Sequence, residues 1–318
     1  MGSQSGCSRR RLAVRVAIML LCSAMAGGGL AGASAAAGGS EAVTAGANGG
    51  ATQVVIAAHP LAHALVQRLL DGTGITVERV VPESLPPSRF AAYLGGRGAA
   101  ALAEVAERAD AVVGLRAMWP EDPIYPQARR SNIRIVEIDA ARPVDGSLPG
   151  VALHADPAGA PYAWLDPSNL GRMADIVAND LGRLAPEHAE LVAGRLAAFK
   201  REVLGLVAQA GLGLAALDQV TVFSLSDRLD YFIAGFNLEL AGRDVRDDAA
   251  WTVEAAQALA ASLREGGVVT VLHHREPAAA LADALAQAQL RVVVLATEGQ
   301  DPLGELETNV TAVIAGLN

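Results

Sequence analysis

The stretch YAWLDPSN, residues 162–169, lies between two halves of the chain that share one pattern. Pro167 suits the first turn of a helix, and Asp166 before it can accept hydrogen bonds from the N–H groups at the helix start. The following LGRMADIVANDLGRL, residues 170–184, repeats apolar residues at helical spacing. A second helical pattern follows Pro186, long enough to extend roughly 30 Å. We predict that residues 167–217 are helices that link two lobes.

Short apolar runs alternate with helical patterns on both sides of these linking helices. The runs are QVVIAA (53–58), ITVERVV (75–81), DAVVGL (110–115), IRIVEID (133–139), QVTVFSLS (219–226), VVTVLHH (268–274) and RVVVLAT (291–297). Strands that alternate with helices form parallel sheets. The sequence therefore predicts an α/β fold: two Rossmann-like lobes, at 53–166 and 218–318, joined by a long backbone helix. The default ligand site is the cleft between the lobes.

The first residues are typical of an export signal. Four arginines without an acid precede an apolar segment that ends in small residues, which indicates a signal peptide over 1–37. Residues 38–52 are small and polar and are interpreted as a flexible leader. Both cysteines, Cys7 and Cys22, precede the predicted cleavage region, and the bulky Leu21 before Cys22 disfavours a lipid anchor. We expect an exported protein without disulfides.

The charge of the mature chain argues against two kinds of partner. Cleavage after residue 37 removes four of the 25 basic residues and none of the 34 acidic ones, which leaves a net charge of −13. So acidic a protein is a poor partner for nucleic acid or for an anionic membrane surface. No catalytic motif with an ordered nucleophile, base and orienting group is apparent, so we do not expect an enzyme.

Five segments in order resemble the periplasmic solute-binding proteins of zinc- and manganese-type ABC importers. They are VVIAAHPLAHALV (54–66), VVPESLPPSRF (80–90), YAWLDPSN (162–169), VFSLSDRLDYF (222–232) and LADALAQAQLRVVVL (281–295). The resemblance implies a metal held between the lobes by three histidines and one carboxylate, and presentation of that metal to a membrane permease. In this chain the corresponding positions are occupied by Ser88, Tyr162, Ser226 and Ala296. We therefore predict a divergent member with a degenerate metal site.

Other residues could replace the missing ligands. His59 follows the first strand, His274 ends a strand of the second lobe, and His154 or Glu298 could join them, which would allow zinc or manganese to bind. The alternative for His59 is a packing role at a helix start. Further candidates for the lining of the cleft are Arg89, Arg116, Trp119 and His273.

Two functions of different classes remain open at the level of the sequence. The first is a monomeric solute-binding protein that delivers a ligand to an ABC permease of the inner membrane. Its ligand would be a metal on relocated histidines, a metal chelate or a small organic molecule. The second is an accessory protein that fills its own cleft and contacts another protein of the envelope.

Overall fold

The first parallel sheet forms the centre of the N-terminal lobe. The computed structural model describes residues 53–153 and 162–318. Four strands make up this sheet: β1 (Val54–Ala57), β2 (Thr76–Arg79), β3 (Ala111–Gly114) and β4 (Val136–Asp139). All pairs are parallel, in the order β2-β1-β3-β4. Every residue of the two central strands, β1 and β3, is buried, which explains their continuous apolar sequence.

Helices cover both faces of the first sheet. They are α1 (Pro60–Leu70), α2 (Phe90–Leu94), α3 (Ala99–Arg108) and α4 (Ile124–Ala128). Helical patterns at 60–70 and around 99–109 in the sequence predict α1 and α3. The other two were not predicted, because five residues are too few to show a helical period. Phe90 and Leu94 of α2 are nevertheless completely buried. Packing against the sheet therefore stabilises α2 more than its local sequence does.

The C-terminal lobe repeats this architecture. Its strands are β5 (Thr221–Ser224), β6 (Glu239–Arg243), β7 (Thr270–His273) and β8 (Arg291–Val294), all parallel, in the order β6-β5-β7-β8. Its helices are α7 (Asp230–Gly235), α8 (Val253–Glu265), α9 (Ala279–Gln287) and α10 (Pro302–Leu317). The prediction of two α/β lobes with parallel sheets is confirmed.

Two long helices connect the lobes. They are α5 (Pro167–Leu184) and α6 (Ala189–Ala215). With 27 residues α6 is about 40 Å long, and it packs against α1 of the first lobe and α10 of the second. The predicted long backbone helix is therefore present. The exact domain boundaries, at 166 and 217, stay a prediction.

Asp166 caps α5 as the sequence suggested. Its Oδ1 accepts a hydrogen bond of 2.7 Å from the backbone N–H of Ser168, and Pro167 occupies the first helical position. We expect D166A to lower the free energy of unfolding by about 1 kcal/mol, because it leaves that donor at the helix start unpaired. Urea denaturation measures the change, and D166N, which retains an acceptor, should lose less. Equal losses in the two variants would contradict a capping role.

The strand order places the ends of particular strands together. In each sheet the direction of the connections reverses between the two central strands, at β1/β3 and at β5/β7. Ligands of open α/β sheets bind at such reversal points, beyond the carboxyl ends of the strands. His59 and Leu115 follow β1 and β3, while Ser226 and His274 follow β5 and β7. These four positions mark the region in which a ligand site is expected.

One hydrophobic core is continuous between the lobes. It includes Val55 of β1, Trp164, Phe232 of α7 and Leu306 of α10. Accordingly the described residues, 53–153 and 162–318, form a single compact unit. Across residues 53–153 and 162–318, each helix is too short or too polar to cross a membrane.

Candidate ligand-binding cleft

A cavity of about 300 Å³ lies at the carboxyl ends of the strands of the first sheet. Its wall consists of His59, Pro86, Pro87, Ser88, Leu115, Trp119, Tyr162, Trp164, Arg228 and Glu298. The first eight belong to the N-terminal lobe as predicted from the sequence, and Arg228 and Glu298 come from loops that follow β5 and β8. Both lobes therefore contribute to this wall.

His59 is held in one protonation state by its surroundings. It is 4% exposed, and its Nδ1 accepts a 3.2 Å hydrogen bond from the N–H of Leu61, which caps α1. Burial, assisted by the positive charge of Arg79, lowers the pKa of His59 to about 3. The neutral ring that accepts at Nδ1 carries its proton on Nε2. His59 therefore presents a donor and no free lone pair.

The pKa of His59 makes the stability of the fold dependent on pH. In the unfolded chain its imidazole binds a proton near pH 6.5, but in the folded protein only near pH 3. Between these values the unfolded state binds more protons, so stability falls as the pH falls. For this group the loss from pH 7 to pH 4 is about 3 kcal/mol.

We expect the H59N variant to lack this part of the acid sensitivity. The amide oxygen of an asparagine at this position can replace Nδ1 of His59 as the cap of α1, but the amide does not titrate. Urea denaturation of the wild-type protein and of H59N at pH 7.5 and pH 4 measures the difference. At pH 7.5, where the imidazole is neutral in both the folded and the unfolded state, the two proteins differ in stability by packing alone. An identical loss of unfolding free energy between pH 7.5 and pH 4 in both proteins would contradict the burial of a neutral His59.

Aromatic rings form one side of the cavity. The ring of His59 lies edge-on to Trp164, with centroids 5.0 Å apart, and to Trp119, at 6.2 Å. Tyr162 packs against Trp164 at 5.1 Å. Trp164 is 3% exposed, and its Nε1 donates to the carbonyl oxygen of Thr297 at 3.2 Å. Each ring of this wall therefore packs against at least one other ring.

Polar contacts connect Tyr162 with the second lobe. Its hydroxyl donates to Oε1 of Glu298 at 2.6 Å, and Nη1 of Arg228 donates to the same oxygen at 3.1 Å. The guanidinium of Arg228 also lies over the Tyr162 ring, 4.8 Å from its centroid. Burial and the bond to Glu298 raise the pKa of Tyr162, so it stays a neutral phenol. A phenol in this state is a hydrogen-bond donor and a poor metal ligand.

The contacts between the lobes converge on residues 297–301. The pairs are Trp164 with Thr297, Tyr162 with Glu298, Arg79 with Gln300, and Arg68 with Asp301. Behind this segment, Glu305 of α10 accepts a 2.5 Å hydrogen bond from the N–H of Gly299. Residues 297–301 thus make these polar contacts with the first lobe, beside the apolar contacts of the shared core.

The four positions that the resemblance assigned to metal ligands do not all reach the cavity. Ser88 and Tyr162 line it. Ser226 is completely buried beside it, where its Oγ accepts from the N–H of Arg228. Ala296 is exposed, and its backbone pairs with the side chain of Asn309.

Neither His274, considered as a replacement ligand, nor His273, considered as part of the cleft lining, lines the cavity of His59. His273 and His274 line a second cavity of about 520 Å³ at the carboxyl ends of the second sheet. Nδ1 of His273 accepts from the N–H of His274, and Nε2 of His274 accepts from Arg275. Neither ring has a free lone pair in this arrangement. His154 lies outside the described residues.

A metal-binding cluster is absent from the described part of the chain. No group of three or more His, Cys, Asp or Glu side chains there is placed to hold a metal ion. Zinc sites use three or four such ligands. The described residues therefore do not fit a free zinc or manganese ion as they stand.

The pair Ser226–His274 has residue types found in hydrolases, with Oγ 2.7 Å from Nδ1. Because Nε2 of His274 accepts from Arg275, Nδ1 carries the proton and donates to Ser226. Burial, followed by the charge of Arg228, also lowers the pKa of His274 to about 4. In this tautomer His274 cannot take a proton from the serine.

The remaining candidates are divided between the cavity and the surface. Trp119 lines the cavity, whereas Arg89 is exposed in the turn before α2. Arg116 forms an ion pair of 2.8 Å with Glu137, outside the wall. Arg228 was not among the sequence candidates, although its place directly after β5 was a usable signal.

Comparisons with known proteins agree with the architecture. The family model described as "ZnuA: Zinc-uptake complex component A periplasmic" matches residues 55–313. No curated protein sequence matches the chain significantly.

Several solved structures share the fold. A zinc-bound ZnuA deletion mutant is 20% identical, with a TM-score of 0.63, over 84% of this chain and 98% of the other. An FpvC mutant from Pseudomonas aeruginosa is 17% identical, with a TM-score of 0.65, over 83% and 98%. The Zn(II)-bound ZnuA-like domain of Streptococcus pneumoniae AdcA is 17% identical, with a TM-score of 0.63, over 84% and 99%. Since the family model spans most of the described residues, the chain belongs to the family of the periplasmic component A of zinc-uptake complexes.

Proposed function

We propose that this protein is a periplasmic solute-binding component of an ABC importer whose cleft binds a small organic molecule or a metal chelate instead of a free metal ion. The observation that carries this proposal is the cavity of about 300 Å³, with aromatic side chains and a single Arg–Glu pair in its wall. Sites for small molecules have this size or more, and a mostly apolar lining with few polar groups. Membership of the zinc-uptake family supports the role in uptake.

The chemistry of the wall disfavours a free divalent cation. The Nδ1 lone pair of His59 is used by the helix cap, and Oε1 of Glu298 already accepts two hydrogen bonds. The positive charge of Arg228 faces the same space. A bare cation would find only the second oxygen of Glu298 unoccupied by the described residues, and it would approach a guanidinium, whereas a chelated metal brings its own ligands.

In the proposed cycle the ligand binds between the lobes and stabilises their contact. Trp164 and Tyr162 of the first lobe contact Thr297 and Glu298 of the second at the edge of the cavity. A bound molecule would therefore touch residues from both sides. The partner is an ABC permease of the inner membrane, which receives the ligand from the ligand-bound form, and no reaction is catalysed.

Native mass spectrometry with elemental analysis, on protein purified from its own periplasm, tests this function. We expect an organic mass bound at about one per chain, with or without a metal. Unfolding and refolding should remove it and lower the melting temperature, because the ligand stabilises the folded state by mass action. A bare metal at one per chain, without organic mass, would falsify the proposed ligand class.

A second candidate function is supported by the contacts that cross the cavity. The Tyr162–Glu298–Arg228 group connects the lobes through the protein's own side chains. An accessory protein of the envelope with a self-filled cleft would use these bonds in place of a ligand. In that case the purified protein carries no bound molecule, and removal of small molecules leaves its melting temperature unchanged.

A further inference from the structure

The wall of the cavity carries one positive and one negative charge. Among its ten described lining residues, Arg228 and Glu298 are charged, and the low pKa keeps His59 neutral. The two form an ion pair of 3.1 Å, and both are about one-third exposed, at 33% and 29%. The net charge of the wall is therefore zero, which favours a ligand whose own charges also sum to zero.

Each member of this pair keeps unused hydrogen-bonding capacity. On Glu298, Oε1 accepts from Tyr162 and Arg228, while Oε2 has no partner among the described residues. On Arg228, Nη1 donates to Glu298 and Thr297, whereas Nε and Nη2 have no partner within 53–153 and 162–318. His59 adds its Nε2–H. The cavity thus offers a carboxylate acceptor next to a cationic donor, with a neutral donor from His59.

We infer that the ligand of this cleft is a small zwitterion with one carboxylate, one protonated amino group and an apolar or planar body. The inference rests on the proposed function and concerns the same cavity. The carboxylate of the ligand accepts from Arg228 and from Nε2–H of His59. Its ammonium group donates to Oε2 of Glu298. Both contacts form without breaking the existing bonds between Tyr162, Arg228 and Glu298.

The rest of the wall suits the body of such a molecule. Trp119 and Trp164 present ring surfaces, and Pro86, Pro87 and Leu115 present aliphatic carbon. Apolar groups placed there leave water, which favours binding. Ligands with a single charge fit less well: a simple carboxylate faces the unpaired oxygen of Glu298, and a simple amine faces the guanidinium of Arg228.

Amino acids and their singly charged analogues test this inference. The twenty common amino acids are first screened for an increase in the melting temperature. The best binder, for example L-phenylalanine, is then compared by calorimetry with its analogue without the amino group (3-phenylpropionate) and its analogue without the carboxylate (2-phenylethylamine). We expect each analogue to bind at least about tenfold more weakly, a loss that corresponds to one charged contact. An analogue that binds as tightly as the amino acid would overturn the inference.

Variants assign each charge to its partner. R228M should weaken binding of the amino acid at least about tenfold and strengthen binding of the amine, which no longer faces a guanidinium. E298Q should weaken binding of the amino acid and strengthen binding of the acid analogue, which no longer faces a carboxylate. R228K keeps the charge, so its affinity for the amino acid should fall less than that of R228M. A fold disturbed by any substitution at this position would lower the affinity of both variants alike. R246M is the matched control: Arg246 lines the second cavity and pairs with Asp244. Equal losses in R246M and R228M would contradict a direct contact.

The outcomes separate this inference from the function on which it rests. Native mass spectrometry can show a bound organic molecule that is not a zwitterion. Alternatively, the protein can carry a bound organic molecule while no amino acid raises its melting temperature. In either case the inference is wrong and the uptake function stands. If no bound molecule is found and nothing stabilises the protein, both are wrong.

Discussion

The S88H/Y162H variant is expected to bind zinc at least about 100-fold more tightly than the wild-type protein. Ser88, Tyr162 and Glu298 line one cavity, so two imidazoles at these positions would join a carboxylate already present. Two histidines, one carboxylate and a water molecule form a common zinc site. The substitution of Tyr162 also removes one donor from Oε1 of Glu298. Calorimetric titration with zinc measures the affinity, and zinc should raise the melting temperature of the variant alone.

Single substitutions separate the effect of new ligands from the loss of the tyrosine bond. Y162F removes the hydroxyl and keeps the ring, so it should release Glu298 without creating a zinc site. S88H adds one imidazole, so its zinc affinity should lie between those of Y162F and S88H/Y162H. If the wild-type protein binds zinc within about tenfold of the double variant, the metal site is not degenerate.

The W164A variant is expected to lower the free energy of unfolding by about 3–5 kcal/mol. Trp164 is 3% exposed and belongs to the core shared by both lobes. Its removal leaves a large cavity beside His59 and Tyr162 and an unpaired carbonyl at Thr297. Equilibrium unfolding in urea measures the loss.

W164F separates packing from hydrogen bonding. The phenyl ring fills most of the site but cannot donate to Thr297, so the expected loss is about 1–3 kcal/mol. A W164A protein within about 1 kcal/mol of the wild type would show that the region relaxes around the cavity, which the fixed neighbouring rings argue against.

The fold was predictable because the spacing of apolar residues along the sequence indicates its strands and long helices. Pro60 and Pro167 mark the starts of α1 and α5 in the sequence and in the structure. The short helices α2 and α4 were missed because tertiary packing determines them. The predicted signal peptide and leader, 1–37 and 38–52, lie outside the described residues.

The site was predictable in position but not in detail. The sequence indicated that Tyr162 and Trp119 are near the cleft, since they follow recognisable elements. Counting from β8 pointed to Ala296, yet the side chain that reaches the cavity is Glu298, because the chain leaves the strand at Val294 and turns before it reaches the cleft. The proton positions of His59 and His274 depend on hydrogen bonds from Leu61 and Arg275, which no spacing rule reveals.

The continuous helix α6 restricts how the lobes exchange a ligand. A helix of 27 residues that packs on both lobes resists sharp bending, because a kink would break backbone hydrogen bonds. Wide hinge opening is therefore costly, and we expect ligand entry to depend on local displacement of residues 297–301, which carry polar contacts between the lobes. A cavity that changes little during this step is already preorganised, so affinity is lost neither to lobe closure nor to rearrangement of the aromatic wall. In such a protein the height of the local opening barrier sets the residence time of the ligand, while the shape of the cavity sets its selectivity.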